Sequence, residues 1–270
     1  MTVFNGEKYL NESLRSLSNQ AMEDWDLVVV ENGSSDSTAE ILSKYTDPRI
    51  RVINLPENIG RTPALNMAVV NASAKYVAVL DADDLSHPLR LKHQIEFLDA
   101  HPDVGLVGSW AEFIDEVGLF VSLKKGPISH QEIVQAMATR NPIVHSSAMF
   151  RRDLMGRIGG YDETLVYAQD FGMLLEFARI SRIAVIPEIL CSWRKLNNGM
   201  TYAIESTIIR ARDEADLFAR VPKMVPLTPT SRMLNYKQQI LTRLILSLCF
   251  ARKRQFKYSI NSLIFGILEN

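Results

Sequence analysis

Apolar positions change their spacing several times along this chain, and each change marks an element. Leu10, Leu14 and Leu17 recur at helical intervals within residues 7–19, which predicts an amphipathic helix. Asp26-Leu-Val-Val-Val-Glu31 is a short β-branched run, the signature of a parallel strand buried on both faces. The cluster Asn32-Gly-Ser-Ser-Asp-Ser-Thr38 supplies a turn and an N-cap, and a helix through Ala39, Ile41 and Leu42 follows. The pattern then repeats: strand (Arg51 to Leu55), turn (Asn58 to Gly60), helix (Pro63 to Ala72), strand (Tyr76 to Leu80), helix (Pro88 to Ala100). Alternation at this pace predicts βαβ units around a parallel sheet, with ligands at the carboxyl ends of the strands.

The second half is mixed. Residues 104–114 and 119–123 predict an antiparallel pair about the turn Asp115 to Gly118, and His145 to Phe150 predicts a strand. Gln169 to Ala178 predicts a helix with Leu174, Leu175 and Phe177 apolar. Helices are expected over 203–220 and 229–250, with a third over 254–268. The longest apolar stretch, Ile240 to Phe250, is interrupted by Arg243 and falls short of the roughly 20 residues of a membrane span. Residues 1–20 are polar after Val3-Phe4, so no signal peptide is expected.

Composition adds two things. With 270 residues, 47% hydrophobic and 23% charged, the chain is an ordinary globular sequence rather than a disordered one. The net charge of −1 gives no reason to expect nucleic acid as a partner, but it is a cancellation. Residues 1–216 hold 21 basic and 30 acidic side chains (−9), and residues 217–270 hold 9 basic and 1 acidic (+8). Within that basic tail, Arg252-Lys-Arg-Gln-Phe-Lys257 precedes Ile260, Leu263, Ile264, Phe265 and Ile267. Such a segment either lies on an anionic membrane surface or packs its apolar face on the body or on a second copy. Cys191 and Cys249 form no disulfide or zinc pattern, which suits a reducing cytoplasm.

The candidate chemistry is acidic. Asp81-Ala-Asp-Asp84 puts three carboxylates within four residues at the end of a predicted strand, an arrangement that suits a hard cation such as Mg²⁺ or Mn²⁺ shared with a diphosphate. Asp170 opens a predicted helix, where it is either a cap or a general base toward a hydroxyl. His145 is either a structural group or a ligand contact, and Arg61 and Arg194 are either surface ion pairs or phosphate contacts.

Six segments in order give the sequence a likeness: Val3-Phe-Asn-Gly-Glu-Lys-Tyr-Leu10, Asp26-Leu-Val-Val-Val-Glu-Asn-Gly-Ser-Ser-Asp36, Asn58-Ile-Gly-Arg-Thr-Pro-Ala-Leu-Asn66, Tyr76-Val-Ala-Val-Leu-Asp-Ala-Asp-Asp84, Asn141-Pro-Ile-Val-His145, and Gly159-Gly-Tyr-Asp-Glu163 with Ala168-Gln-Asp170. From residue 1 to about 205 the chain resembles the family 2 glycosyltransferases. The resemblance implies an α/β GT-A fold, a Rossmann-like mixed sheet flanked by helices. It divides the chain into a transferase domain (1–205) and a helical, basic C-terminal extension (206–270). It further implies a metal-dependent, inverting enzyme that uses a nucleotide-diphospho-sugar. Thr2, Val3, Glu31, Asn32 and Ala82 would line the nucleotide, Asp81 would contact the ribose, and Asp83 would ligate the metal. Asp170 would activate the acceptor hydroxyl, with Arg61, His145, Gln169 and Arg194 as further donor or acceptor contacts.

The sequence departs from that family in four places. Met1-Thr2 falls where the opening strand should finish, so that strand is expected to be truncated. Glu31 stands for an Asp, Gln169 for a Glu, and Trp193-Arg194-Lys195-Leu196 for a Tyr-Arg-x-His pattern. The QxxRW pattern of processive synthases is absent after Asp170, which favours transfer of one sugar to a glycan or lipid-linked glycan. A catalytically inactive nucleotide-sugar-binding or scaffold protein is the alternative expectation.

Overall fold

The computed structural model describes residues 1–196 and 204–268. The first half alternates strands and helices. β1 (Thr2–Val3), β2 (Leu27–Glu31) and β3 (Ile50–Asn54) are joined through α1 (Leu10–Ser18) and α2 (Thr38–Ser43), and α3 (Arg61–Val70) follows β3. The three strands form a parallel sheet with β2 in the middle. β2 is buried along its whole length because both faces are covered. Val29 packs with Leu10, Leu14 and Leu17 of α1, and Val28 and Val30 pack with Ala64 and Ala68 of α3. The period of two explains why the run is continuously apolar rather than alternating.

A second, mixed sheet carries the rest. Its strands are β4 (Tyr76–Ala78), β5 (Leu85–Ser86), β6 (Val104–Ile114), β7 (Phe120–Lys124), β8 (Met149–Arg151) and β9 (Arg182–Arg194). They lie in the order β4-β8-β6-β9-β5, with β7 paired to β6. β9 runs parallel to β6, and β8 and β7 run antiparallel to it. The helices are α4 (Arg90–Ala100), α5 (His130–Ala136), α6 (Arg152–Arg157), α7 (Gln169–Ile180), α8 (Ile204–Met224) and α9 (Pro229–Leu268).

β1 is only two residues long, the truncated opening strand expected from the sequence, and pairs to β2 through Thr2 with Val30 and Val3 with Glu31. Several other expectations are corrected. β4, expected among the parallel strands, pairs antiparallel with β8 in the second sheet, so β1–β3 stand as a separate three-stranded sheet. His145–Ser147 is a single 3₁₀ turn, and the strand begins only at Met149. β9 and the short α5 and α6 lie in segments that gave no clear period. The two helices expected over 229–250 and 254–268 are one continuous helix, because Phe250-Ala-Arg-Lys-Arg-Gln255 contains no Gly or Pro to end it.

The largest core gathers β6, α5, α7 and α8. Phe150, Phe171, Phe177 and Leu106 pack with Leu217, Phe218 and Val221 of α8. The first helix of the C-terminal segment thus shares the core of the catalytic-type fold. Asp213, almost fully buried on α8, accepts the backbone N–H groups of Val166 (2.8 Å) and Tyr167 (2.9 Å). That carboxylate holds the loop leading into Gln169 and Asp170.

Candidate functional site

The site lies where β1, β2 and the segment after β4 end. The loops after β1 and β2 are tied to each other. Ser35 N donates to Asn5 Oδ1 (2.9 Å), Gly6 N to Thr38 Oγ1 (2.8 Å), and Ser37 N to Glu7 Oε2 (3.0 Å). Glu31 and Asn32 are buried. Glu31 Oε1 accepts Ser34 N (2.7 Å). Asn32 Nδ2 donates to Asn58 Oδ1 (3.0 Å), and its Oδ1 accepts Ile59 N (3.0 Å). Asn32 is therefore engaged in shaping the turn that delivers Arg61, and Glu31 in shaping the turn after β2. Gly33 adopts φ +71°, and a Cβ there would lie 2.3 Å from the backbone of Glu57, so only glycine lets the two loops approach.

The three acidic residues behave differently. Asp81 Oδ2 accepts from Arg61 Nη2 at 2.7 Å, and its Oδ1 lies 3.7 Å from His145 Nδ1. Burial alone would push the Asp81 carboxyl up, but the Arg61 guanidinium and His145 reverse this and hold it well below the usual carboxylate range. The Arg61 guanidinium is in turn held charged by Asp81, and it also feels Asp170 and Asp83. Asp84 is 1% exposed. It accepts the backbone N–H of Arg194 (2.8 Å) and the hydroxyl of Ser146; burial, then the charges of Asp83 and Asp81, push its carboxyl well up. Asp83 has no hydrogen bond from another described residue's side chain. Burial and the charge of Asp81 push it up to about 6.

Asp170 opens α7 across a narrow cleft lined also by Asn141 and His145. Asn141 Nδ2 donates to Asp170 Oδ2 at 2.7 Å, which holds one oxygen of the carboxylate and leaves Oδ1 outside that bond. His145 Nε2 is 3.0 Å from the buried Tyr161 hydroxyl. Tyr161 is itself clasped by Asn66, which accepts its N–H (2.7 Å) and donates to its carbonyl (3.0 Å). Two buried polar atoms nearby, His145 Nδ1 and Gln169 Oε1, have no hydrogen-bond partner among the described residues, though His145 Nδ1 lies 3.7 Å from Asp81 Oδ1; such atoms can complete their bonding with water or a ligand.

Arg194 is placed inward. Only 2% exposed, it donates to Asp83 O (2.9 Å), Glu12 Oε2 (2.6 Å), and the carbonyls of Asp115 and Glu116 (both 3.3 Å). Its guanidinium also stacks over Tyr9. As placed, it pins the acidic loop to α1 and to the β6–β7 turn rather than facing the cleft.

Among the described residues, no three His, Cys, Asp or Glu side chains converge to cage a metal. A divalent ion nevertheless fits the donor set at one point. Asp81 is neutralised by Arg61 and Asp84 is enclosed, so Asp83 is the hard oxygen ligand left for a cation. Mg²⁺ and Mn²⁺ take one or two carboxylates and complete their shell with water and phosphate oxygens. Sequence reasoning assembled Asp81, Asp83, Arg61, His145 and Asp170. It missed Asp213 and gave no role to Asn66, Asn141, Ser146 or Tyr161.

Comparison with known proteins shows the family and the fold. The family model described as Glycosyl transferase family 2 matches residues 1–159. An uncharacterized glycosyltransferase of Methanocaldococcus jannaschii is 34% identical over 200 residues, covering 72% of this chain and 69% of the relative. The amylovoran biosynthesis glycosyltransferase of Erwinia amylovora is 30% identical over 200 residues, with 72% and 74% covered. Among solved structures, residues 1–349 of S. aureus TarS in complex with UDP-GlcNAc align with TM-score 0.65 and 22% identity, covering 83% of this chain and 69% of that one. The mannosyltransferase PcManGT of Pyrobaculum calidifontis, in complex with GDP-Man and Mn²⁺, aligns with TM-score 0.66 and 22% identity, covering 93% and 71%. The fold is the GT-A fold of these neighbours.

Proposed function

The chain belongs to glycosyl transferase family 2, and from that premise we propose that it moves one sugar, with inversion, from a nucleotide-diphospho-sugar to a glycan or lipid-linked glycan in the synthesis of a surface polysaccharide. One observation carries the reading: a single clamped carboxylate, Asp170, shares a cleft with His145, which in turn contacts an acidic strand end where Arg61 neutralises Asp81 and Asp83 stays uncommitted. Inverting displacement needs one base on the acceptor side and positive charge on the leaving side. Asp170 Oδ1 takes the proton from the acceptor hydroxyl, while Asn141 prevents the carboxylate from rotating away. Arg61, paired with Asp81 and also feeling the charge of Asp170, draws the diphosphate toward the acidic strand end. A Mg²⁺ or Mn²⁺ ion held by Asp83, when bound, supplies charge stabilisation to the leaving diphosphate.

Asp81 contacts the ribose, and Thr2, Val3, Ala82 and the Glu31-Asn32 loop line the nucleobase side. Since the Glu31 and Asn32 side chains already hold the turns, that lining is largely backbone. His145 and Gln169 offer their two unpartnered polar atoms to donor or acceptor. Arg194 supports the acidic loop from behind. The proposed compartment is the cytoplasm, at the inner face of the cell membrane, where reducing conditions suit the buried free thiol of Cys191. The biosynthetic setting is supported by the amylovoran and O-antigen relatives.

The stereochemistry and stoichiometry test this directly. With a productive donor and acceptor, NMR of the product is expected to show the anomeric configuration opposite to the donor's, and mass spectrometry one added sugar. A retained configuration or a ladder of additions contradicts the reading.

A further inference from the structure

Helix α9 is amphipathic in the reverse sense to an ordinary surface helix. Its protein-facing side is polar. Ser231, Asn235 and Thr242 are buried, and Asn235 Nδ2 donates to the carbonyls of Ala138 (3.1 Å) and Phe218 (3.0 Å). Its outward side is apolar. Met233, Ile240, Leu241, Leu244, Ile245 and Leu248 are all exposed, Leu244 at 55% and Leu248 at 70%. Their spacing of one, three, four and seven residues puts them on one helix face. A continuous apolar stripe left outside on a helix marks a surface that meets something else.

Charge selects the occupant. From Leu217 to Leu268 the sequence contains nine Lys and Arg and no Asp or Glu. Lys237 falls within the stripe, Arg232 and Arg243 fall along its border, and all three are exposed. α9 continues unbroken to Leu268, so its distal half does not fold back over the stripe. We propose that the first half of α9 is a docking surface for an anionic lipid bilayer, lying in the interface with its leucines inserted and its basic side chains among the headgroups. A second copy would bring two uniformly basic helices together, which repel. No described helix is long and apolar enough to cross a membrane, so the mode is lying on the surface. The inference rests on the proposed lipid-linked acceptor for its purpose alone, and binding is measured without any acceptor.

The test is cosedimentation of the full chain with vesicles of phosphatidylcholine alone and of phosphatidylcholine containing phosphatidylglycerol. The chain is expected to partition onto the anionic vesicles and to be released by salt. Lys237→Gln with Arg243→Gln is expected to lower partitioning on the order of thirtyfold, and Leu241→Gln with Leu244→Gln at least about tenfold. Because all four positions are exposed, thermal melts monitored by circular dichroism should match the parent. Equal partitioning of parent and variants overturns the proposal, as does equal binding to neutral vesicles. So does a solution dimer, dissociated by the leucine substitutions, that binds no vesicle. Nucleoside diphosphate release without vesicles separates the two ideas: its failure counts against the transferase reading and leaves the vesicle result standing.

Discussion

Asp170→Asn is expected to abolish sugar transfer while donor binding survives. The substitution keeps the shape of the side chain but removes the carboxylate charge that makes the group a base. Loss of a positioned general base costs roughly 10²–10⁴ in rate. Asn141 clamps Oδ2 at 2.7 Å, so an Asn at 170 can keep its carbonyl oxygen toward Asn141 and the helix start stays in place. In the proposed arrangement Asp170 serves the acceptor and the Asp81-Arg61 pair serves the donor, so nucleotide-sugar affinity measured by calorimetry should change by less than about threefold, under about 1 kcal/mol. A parallel loss of donor affinity would remove Asp170 from the role of base.

Asp83→Asn is expected to separate stability from function. In the folded protein Asp83 is raised to about 6 by burial and by the charge of Asp81. A raised carboxyl pKa means that its contribution to stability is fully present below the unfolded value and is lost as pH rises through about 6. The neutral Asn carries no such loss. The variant should therefore melt like the parent near pH 4 and above it near pH 7. Discounted for partial exposure and relaxation, the gain is on the order of 1 kcal/mol, or roughly 2–4 °C in Tm. The same variant should bind the metal–donor pair far more weakly, because the one uncommitted hard oxygen ligand is gone. A ligand-free Tm that does not rise at pH 7, or donor binding that keeps its metal dependence, contradicts the assignment.

The stability cost and the ligand role come from one cause. Three carboxylates at a strand end repel, and the protein gives internal partners to only two of them. Asp81 receives Arg61, and Asp84 receives Ser146 and the Arg194 backbone. The third, Asp83, is left without a side-chain partner among the described residues. Such uncompensated charge is characteristic of functional rather than structural positions.

The β1–β3 sheet and its helices were readable because β2 is buried on both faces and α1 on one, and each burial writes its own period into the sequence, whereas nothing in the Tyr76 run showed that β4 pairs antiparallel with β8. β9 was not readable, because its pairing with β6 slips. Ser109 faces Ile186 while Trp110 faces Ile189, so Pro187 and Glu188 bulge out and break the alternation. His145–Ser147 looked like a strand because its neighbours are apolar. It curls instead, which sends His145 toward Asp81 and Ser146 to Asp84. The acidic residues announced themselves by clustering, whereas their partners did not. Asn141 lies 29 residues from Asp170 and Ser146 lies 62 from Asp84, and no local spacing joins them. Arg194 shows the converse: a conspicuous arginine near the end of the family pattern is engaged by protein carbonyls and Glu12.

The reading of the chain as an active transferase rests on the donor being cleaved. The most direct measurement is release of nucleoside diphosphate from a panel of nucleotide sugars, with Mn²⁺ or Mg²⁺ present and again in excess EDTA. Release with the metal, its loss in EDTA and its recovery on adding the metal back are the predicted result. A donor that binds yet is never cleaved under any of these conditions would mean an inactive nucleotide-sugar-binding protein, and full release in EDTA would contradict the role given to Asp83.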